Sequence, residues 1–129
     1  MRKFLLDKVV RSKLIARMRA DRTEVESQEL TGDRAYKAVL RKIAEEAAEA
    51  LEAPRQKRAA ELADIQTAIK DAITLSGVSP AEVDQLEEQL AAEKGRFIPT
   101  IHVRTVNVQD DDPIAEYYGS RPDRFPETR

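Results

Sequence analysis

The sequence predicts an all-α protein: a four-helix bundle followed by a short C-terminal β-strand and an extended tail. Composition is the first reason, because 36% of the 129 residues are charged, 5% are aromatic and only four are glycine. Such a composition is typical of helices with solvated outer faces. The second reason is that apolar residues recur three and four positions apart along most of the first 94 residues. The third is that Pro54 and Gly77 divide this region into segments of helical length.

The first two helices are predicted from apolar spacing and from start and stop signals. Residues 3–20 carry apolar side chains at mostly helical spacing. A second helix is expected over about residues 33–53, with Thr31 at the N-cap position. Pro54 ends it, because the proline ring disfavours helical geometry in the preceding residue. Residues 21–30 show no helical stripe and permit a short extended segment.

Two further helices follow the proline. The third is expected over about residues 56–76 and ends at Gly77, a residue type that favours the left-handed conformation after a helix. Ser79 and Glu82 form a capping box around a proline at the first helical position. This signal predicts a fourth helix that ends near Lys94.

The pattern changes after the fourth helix. Residues 98–108 are rich in β-branched side chains and alternate in polarity, which predicts a strand. A strand needs a partner, either residues 25–30 or another chain. We therefore expect one domain over residues 1–108 and a tail over residues 109–129 that is disordered or docks on a partner subunit. Half of the six aromatic residues lie in that tail: Tyr117, Tyr118 and Phe125.

Composition also excludes several classes of site. The chain has no cysteine and one histidine, so it cannot form a disulfide, a zinc–thiolate site or a two-histidine site. The net charge of −2 lacks the basic excess expected of a protein that binds nucleic acid polymers. No apolar run approaches the ~20 residues that span a bilayer. A cytoplasmic protein with no membrane contact is the expectation.

Two acidic motifs are the most informative feature. Glu45, Glu46 and Glu49 form an E-E-x-x-E pattern on the second helix, and Glu61 and Asp64 form an E-x-x-D pattern on the third. Residues three apart share one helix face. Glu61 falls within the apolar stripe of its helix, where a lone carboxylate costs several kcal/mol unless it is paired or bound to a metal.

The link between these two helices is short, so they are expected to pack antiparallel and bring the motifs together. Each motif alone is usually a solvated helix face. Their combination on adjacent helices favours a metal site, and an oxygen-only donor set suits Mg²⁺ or Mn²⁺.

The paired motifs resemble the signature of the MazG-like all-α nucleoside triphosphate pyrophosphohydrolase superfamily. More of the chain is similar to one branch, which is phosphoribosyl-ATP pyrophosphohydrolase-like. Residues 3–10 (KFLLDKVV) are similar to its opening K-L-V-R-D-K-I-P segment, and residues 93–97 (EKGRF) to its E-R-G-G-F segment. The resemblance covers about residues 3–106 and implies a four-helix MazG-like bundle.

The resemblance implies hydrolysis of a nucleoside triphosphate, between the α and β phosphates, to the monophosphate and pyrophosphate. The substrate would be an NTP or a dNTP, plain or modified. Glu45 lies beside the acidic cluster and is our candidate general base for the attacking water; the alternative is a solvated glutamate. The residues that the resemblance implies as ligands of Mg²⁺, with Mn²⁺ as a substitute, are Glu46, Glu49, Glu61 and Asp64.

Three positions depart from the family pattern. Leu6 stands where the branch has arginine, Val10 where it has proline, and Arg96 where it has a second glycine. If that arginine contacts phosphate in the family, another cation must make the contact in this chain. The candidate substrate-binding cations are Lys8, Lys42, Lys94 and Arg96.

The resemblance further implies a homo-dimer or tetramer with sites near subunit interfaces. A second hypothesis, from a different functional class, is a non-catalytic helical interaction or metal-binding module that retains the fold.

Overall fold

The computed structural model describes residues 1–129 and is all-helical, with no β-strand. The chain divides into two units, Met1–Glu93 and Lys94–Arg129, and each is described by itself. None of the helices is both long and apolar enough to cross a lipid bilayer. The helices are α1 (Ser12–Ala20), α2 (Gly32–Glu52), α3 (Arg58–Ser76), α4 (Pro80–Lys94) and α5 (Pro113–Gly119), with a 3₁₀ turn at Arg55–Lys57 between α2 and α3.

An antiparallel pair of helices, α2 and α3, organises the first unit. Ala53 leaves α2 with extended backbone before Pro54, as the steric rule for residues before proline requires. The 3₁₀ turn then reverses the chain into α3. Among all the helices, only α2 and α3 pack extensively on each other. Ala35 and Ala72 are buried in this unit, and so is one charged residue, Glu46.

The predicted helix ends are confirmed where the signals are local. Gly77 ends α3 with a left-handed backbone at φ 80°. The hydroxyl of Ser79 accepts a hydrogen bond of 3.1 Å from the backbone N–H of Glu82, and α4 begins at Pro80. Thr31 occupies the N-cap position of α2 with extended backbone, although its side chain makes no capping hydrogen bond. These ends form because each depends on a few neighbouring residues only.

The four-helix arrangement is not confirmed. The first helix covers only Ser12–Ala20 rather than residues 3–20, because Asp7 adopts a positive φ of 47° that interrupts helical backbone. Neither α1 nor α4 packs extensively on another helix. On α4, Leu86 and Leu90 are 55% and 47% exposed. The all-α class is therefore correct, while the helix packing within one chain is simpler than predicted.

The predicted β-strand over residues 98–108 is wrong. These residues are exposed and belong to no strand. Alternating β-branched residues form a strand only when a neighbouring strand completes the hydrogen-bond ladder. The candidate partner, residues 25–30, is not a strand either.

The tail is not extended throughout, because α5 lies within it. Asp112 caps α5 by accepting a hydrogen bond of 3.0 Å from the backbone N–H of Ile114. The rings of Tyr117, Tyr118 and Phe125 contact one another, with centroids 4.9–5.8 Å apart. Aromatic contact and a local cap therefore give this segment structure of its own.

Candidate metal centre

The α2–α3 pair brings the predicted acidic residues together around one carboxylate. Oxygen atoms of Glu46, Glu61 and Asp64 lie within 4.8 Å of one another. Oxygen atoms of Glu45, Glu46 and Glu49 satisfy the same limit. Glu46 is common to both groups, so acids from two helices meet at its side chain. The convergence follows from the short antiparallel link, which places the C-terminal half of α2 beside the start of α3.

Burial distinguishes this cluster from an ordinary acidic surface. Glu46 is only 6% exposed. Its Oε1 receives Lys42 Nζ at 3.1 Å, but its Oε2 is buried without a hydrogen-bond partner. Glu61 Oε2, on the facing helix, is also buried and unpartnered. A buried polar atom without a partner costs about 1–3 kcal/mol, so a bound cation would stabilise both oxygens. Carboxylate oxygens are the hard donors that Mg²⁺ or Mn²⁺ prefers.

The electrostatics of Glu61 agree with that fit. Its pKa is raised, first by burial and then by the negative charges of Glu49, Glu46 and Asp64. Both causes penalise the ionised form in the absence of a cation. The carboxylate within the apolar stripe of α3 is therefore held where a positive charge would stabilise it.

Two of the predicted cations contact the cluster. Lys42 Nζ lies 3.3 Å from Glu45 Oε1 as well as 3.1 Å from Glu46. Lys8 Nζ lies 3.1 Å from Glu45 Oε1. The hydrogen bond from Lys8, with further help from Lys42, lowers the pKa of Glu45 despite some desolvation. Partial burial opposes the charge on Lys42, but its bonds to Glu46 and Glu45 raise its pKa overall.

Sequence reasoning missed a third cation, Arg11. Its Nη2 donates to Asp64 Oδ1 at 2.6 Å and lies 3.4 Å from Thr67 Oγ1. The hydrogen bond to Asp64 raises the pKa of this guanidinium. Helical spacing gives no signal for this contact, because Arg11 and Asp64 lie 53 positions apart in the chain. Arg11 is 57% exposed and Asp64 40%, so the ion pair is exchangeable rather than locked in a core.

A cavity of ≈ 260 Å³ lies beside the acids. Its charged wall includes Arg11, Lys42, Glu46 and Asp64, and Val9 contributes to its apolar wall. Drug-sized ligands usually occupy about 300–1,000 Å³. One chain therefore offers a small cavity of mixed polarity, below the usual size of a site that encloses a whole drug-sized ligand.

Two of the predicted cations, Lys94 and Arg96, belong to the second unit, which is described by itself. Their substrate-binding role stays a prediction. Glu49 contributes an oxygen but is exposed, so of the four predicted ligands it is held least firmly.

Comparison of the chain with protein-family models, with curated proteins and with solved structures finds no match. The similarity of its acidic motifs to the MazG-like superfamily stays a prediction from the sequence.

Proposed function

We propose that this chain hydrolyses nucleoside triphosphates to the monophosphate and pyrophosphate in a reaction that depends on a divalent metal ion. One observation carries the proposal: the buried carboxylate of Glu46 has an unpartnered oxygen and faces Glu61 and Asp64 from the opposite helix. The acidic motifs that supply these side chains resemble those of enzymes with this activity.

The metal ligands in this proposal are Glu46, Glu61 and Asp64, with the exposed Glu49 completing the set. When bound, Mg²⁺ or Mn²⁺ would neutralise triphosphate charge and lower the pKa of a coordinated water. Glu46 and Glu61 offer buried oxygens from two helices whose mutual packing fixes their separation. The α2–α3 pair thereby preorganises the donors, as a metal site requires.

The cations next to the acids are proposed to bind phosphate. Lys8, Arg11 and Lys42 each lie within 3.3 Å of a carboxylate oxygen of the cluster. A cation that pairs with a carboxylate in the free protein can transfer that interaction to a phosphate oxygen when substrate binds. Arg11 is suited to this role because its guanidinium can donate two parallel hydrogen bonds to phosphate. It stands in for the arginine that Leu6 replaces.

Glu45 is the proposed general base. Its carboxylate is ionised at neutral pH and can accept a proton from water, while the lysines that lower its pKa weaken it as a base in the free protein. Its hydrogen-bonded lysines also hold the carboxylate at the edge of the cluster, adjacent to Glu46 in the chain. Release of Lys8 toward substrate phosphate would leave Glu45 more basic at the moment when the proton is accepted.

The test is pyrophosphate release from a panel of NTPs and dNTPs with Mg²⁺ or Mn²⁺. Wild-type protein is expected to release pyrophosphate from at least one nucleotide, and Glu46→Gln and Asp64→Asn are expected to abolish release while retaining helicity. Glu52→Gln, on an exposed residue of the same helix, is the matched control and should retain activity. Absence of release with every nucleotide and both metals would refute the catalytic proposal.

A specific observation favours the second candidate, a metal-binding or interaction module without turnover. Asp64 and Glu45 already have cationic partners in the free chain, so the negative charge of part of the cluster is neutralised without a metal ion. A metal-induced rise in Tm without pyrophosphate release would select this candidate.

A further inference from the structure

A guanidinium is bound to one of the proposed metal ligands in the free chain. Oxygen atoms of Asp64, Glu46 and Glu61 lie within 4.8 Å of one another, so Asp64 forms one edge of the proposed metal site. Arg11 Nη2 donates to Asp64 Oδ1 at 2.6 Å. The bond is short and charge-assisted, yet both side chains are partly exposed, so each can exchange this partner for another.

The three cations of the cluster do not oppose a metal ion equally. Lys8 pairs with Glu45, which is not a proposed ligand. Lys42 lies 3.1 Å from Oε1 of Glu46 but leaves Oε2 of the same carboxylate without a partner. Arg11 is the one cation of the chain that pairs with a proposed ligand on α3. The strongest opposition to a metal ion is therefore expected from Arg11.

Several groups hold Arg11 beside α3. Asp64, Thr67 and Asp71 lie three, four and seven residues apart, so they share one face of this helix. Thr67 Oγ1 is 3.4 Å from Arg11 Nη2, and Asp71 lines the same cavity as Arg11. The pKa of Arg11 is raised mainly by Asp64, with smaller contributions from the charges of Glu46 and Asp71. A guanidinium that leaves Asp64 is therefore still attracted to the cavity.

The charge of Arg11 acts in opposite directions on a metal ion and on a triphosphate. A divalent cation bound by Asp64 would lie next to a guanidinium that shares this carboxylate, and like charges at such distances repel. Burial of the neighbouring Glu46 strengthens the repulsion, because it limits screening by water. A triphosphate would relieve it, since phosphate oxygens offer the guanidinium another partner.

We propose that Arg11 competes with the metal ion for Asp64, so that the free chain binds the metal weakly and the metal and the triphosphate bind cooperatively. The species that this site captures is then the metal–triphosphate complex, rather than a triphosphate that joins a metal ion already in place. By linkage, triphosphate tightens metal binding by the same factor as the metal tightens triphosphate binding. This inference rests on the proposed function and adds the coupling between its two ligands.

The first test is Mn²⁺ binding in the absence of nucleotide, measured by the EPR signal of free Mn²⁺. Arg11→Gln is expected to lower the Kd for Mn²⁺ by roughly three- to tenfold, because it removes the competing charge. Arg11→Lys keeps that charge and should bind Mn²⁺ nearly as weakly as wild type. Arg17→Gln is the matched control, since Arg17 is exposed on α1 and forms no ion pair; its Kd should equal that of wild type.

A Kd for Mn²⁺ that is unchanged or higher in Arg11→Gln would overturn the proposal. Arg11 would then either not affect the metal ion or position Asp64 to bind it. Inorganic triphosphate, which contains no base or sugar, is the probe for the coupling. Addition of Mg²⁺ is expected to lower the Kd for triphosphate by a larger factor in wild type than in Arg11→Gln, and an equal factor in the two proteins would contradict the inference.

A second measurement follows the guanidinium itself. In ¹⁵N NMR spectra, the Nε–H signal of Arg11 is expected to shift and to exchange faster with water when Mg²⁺ replaces EDTA, because the bond to Asp64 is broken. The signal of Arg17 should not change. An unchanged Arg11 signal at a Mg²⁺ concentration that saturates the protein would overturn the proposal.

Failure of this inference and failure of the proposed function give different results. Pyrophosphate release by wild-type protein, together with equal Mn²⁺ binding by wild type and Arg11→Gln, would overturn the competition and leave the proposed function standing. Absence of Mn²⁺ binding in both proteins, with no pyrophosphate release, would overturn the metal site and both proposals with it.

Discussion

Replacement of Glu46 by glutamine should change stability in opposite directions without and with metal. In EDTA, the change replaces a buried, unpartnered carboxylate oxygen by an amide group that can donate a hydrogen bond to the buried, unpartnered oxygen of Glu61, which relieves about 1–3 kcal/mol. It also weakens a part-buried ion pair with Lys42, which costs roughly 1 kcal/mol. The balance is a gain of about 1 kcal/mol, equivalent to a rise in Tm of about 4 °C for a chain of this size.

With Mg²⁺ or Mn²⁺ at 100 times its Kd, wild-type protein should gain about 2.7 kcal/mol and about 10 °C in Tm. Glu46→Gln should gain almost nothing, because one of the two buried oxygens that fit a cation has lost its charge. The assay is thermal melting followed by circular dichroism, in EDTA and across a metal titration, with Glu52→Gln as the control on the same helix. A variant less stable than wild type in EDTA, together with equal metal-induced shifts in both proteins, would refute the reasoning.

Three further predictions concern separate parts of the first unit. Arg11→Gln should leave Tm nearly unchanged, since the ion pair with Asp64 is exposed, but raise KM for the nucleotide about tenfold; Arg17→Gln, within the helix α1 that follows Arg11, should not alter KM. In EDTA, the gain in stability from Glu61→Gln should be largest at neutral pH and shrink as pH falls. The raised pKa of Glu61 means that its destabilising charge is complete above the folded pKa and is relieved by protonation below it. Urea titrations across pH would show this, and a gain that is constant with pH would contradict it. Gly77→Ala should cost about 1 kcal/mol by urea unfolding, because φ at this position is +80°; Gly119→Ala, where φ is not positive, serves as the comparison.

Helix ends and the acidic cluster could be predicted from the sequence, whereas the Arg11 ion pair could not, and the reasons are physical. The ends of α3 and α4 follow from Gly77 and Ser79, whose effects act over one helical turn. The position of the acids follows from helical spacing and a short link, which together leave one way to fold α2 against α3. Arg11 could not be found by spacing, because its ion pair joins residues 53 positions apart.

The strand prediction failed for a related reason. Residues 98–108 have strong β propensity, but propensity describes how a side chain suits a pleated surface and supplies no neighbouring strand. A similar lack of a partner applies to α4, whose helical signals are correct while its Leu86 and Leu90 side chains lie in solvent. Local patterns predicted both segments without reference to what would cover them.

The sequence by itself determined the helical class, the limits of α2, α3 and α4, and the shared face of the acidic residues. These depend on interactions within a few residues or across one short connection. Only the tertiary structure decided that Glu46 is buried with an unpartnered oxygen, that Arg11 pairs with Asp64, and that α4 packs extensively on no other helix of its chain. Burial and long-range pairing depend on which surfaces meet in space, and periodicity along a chain does not contain that information.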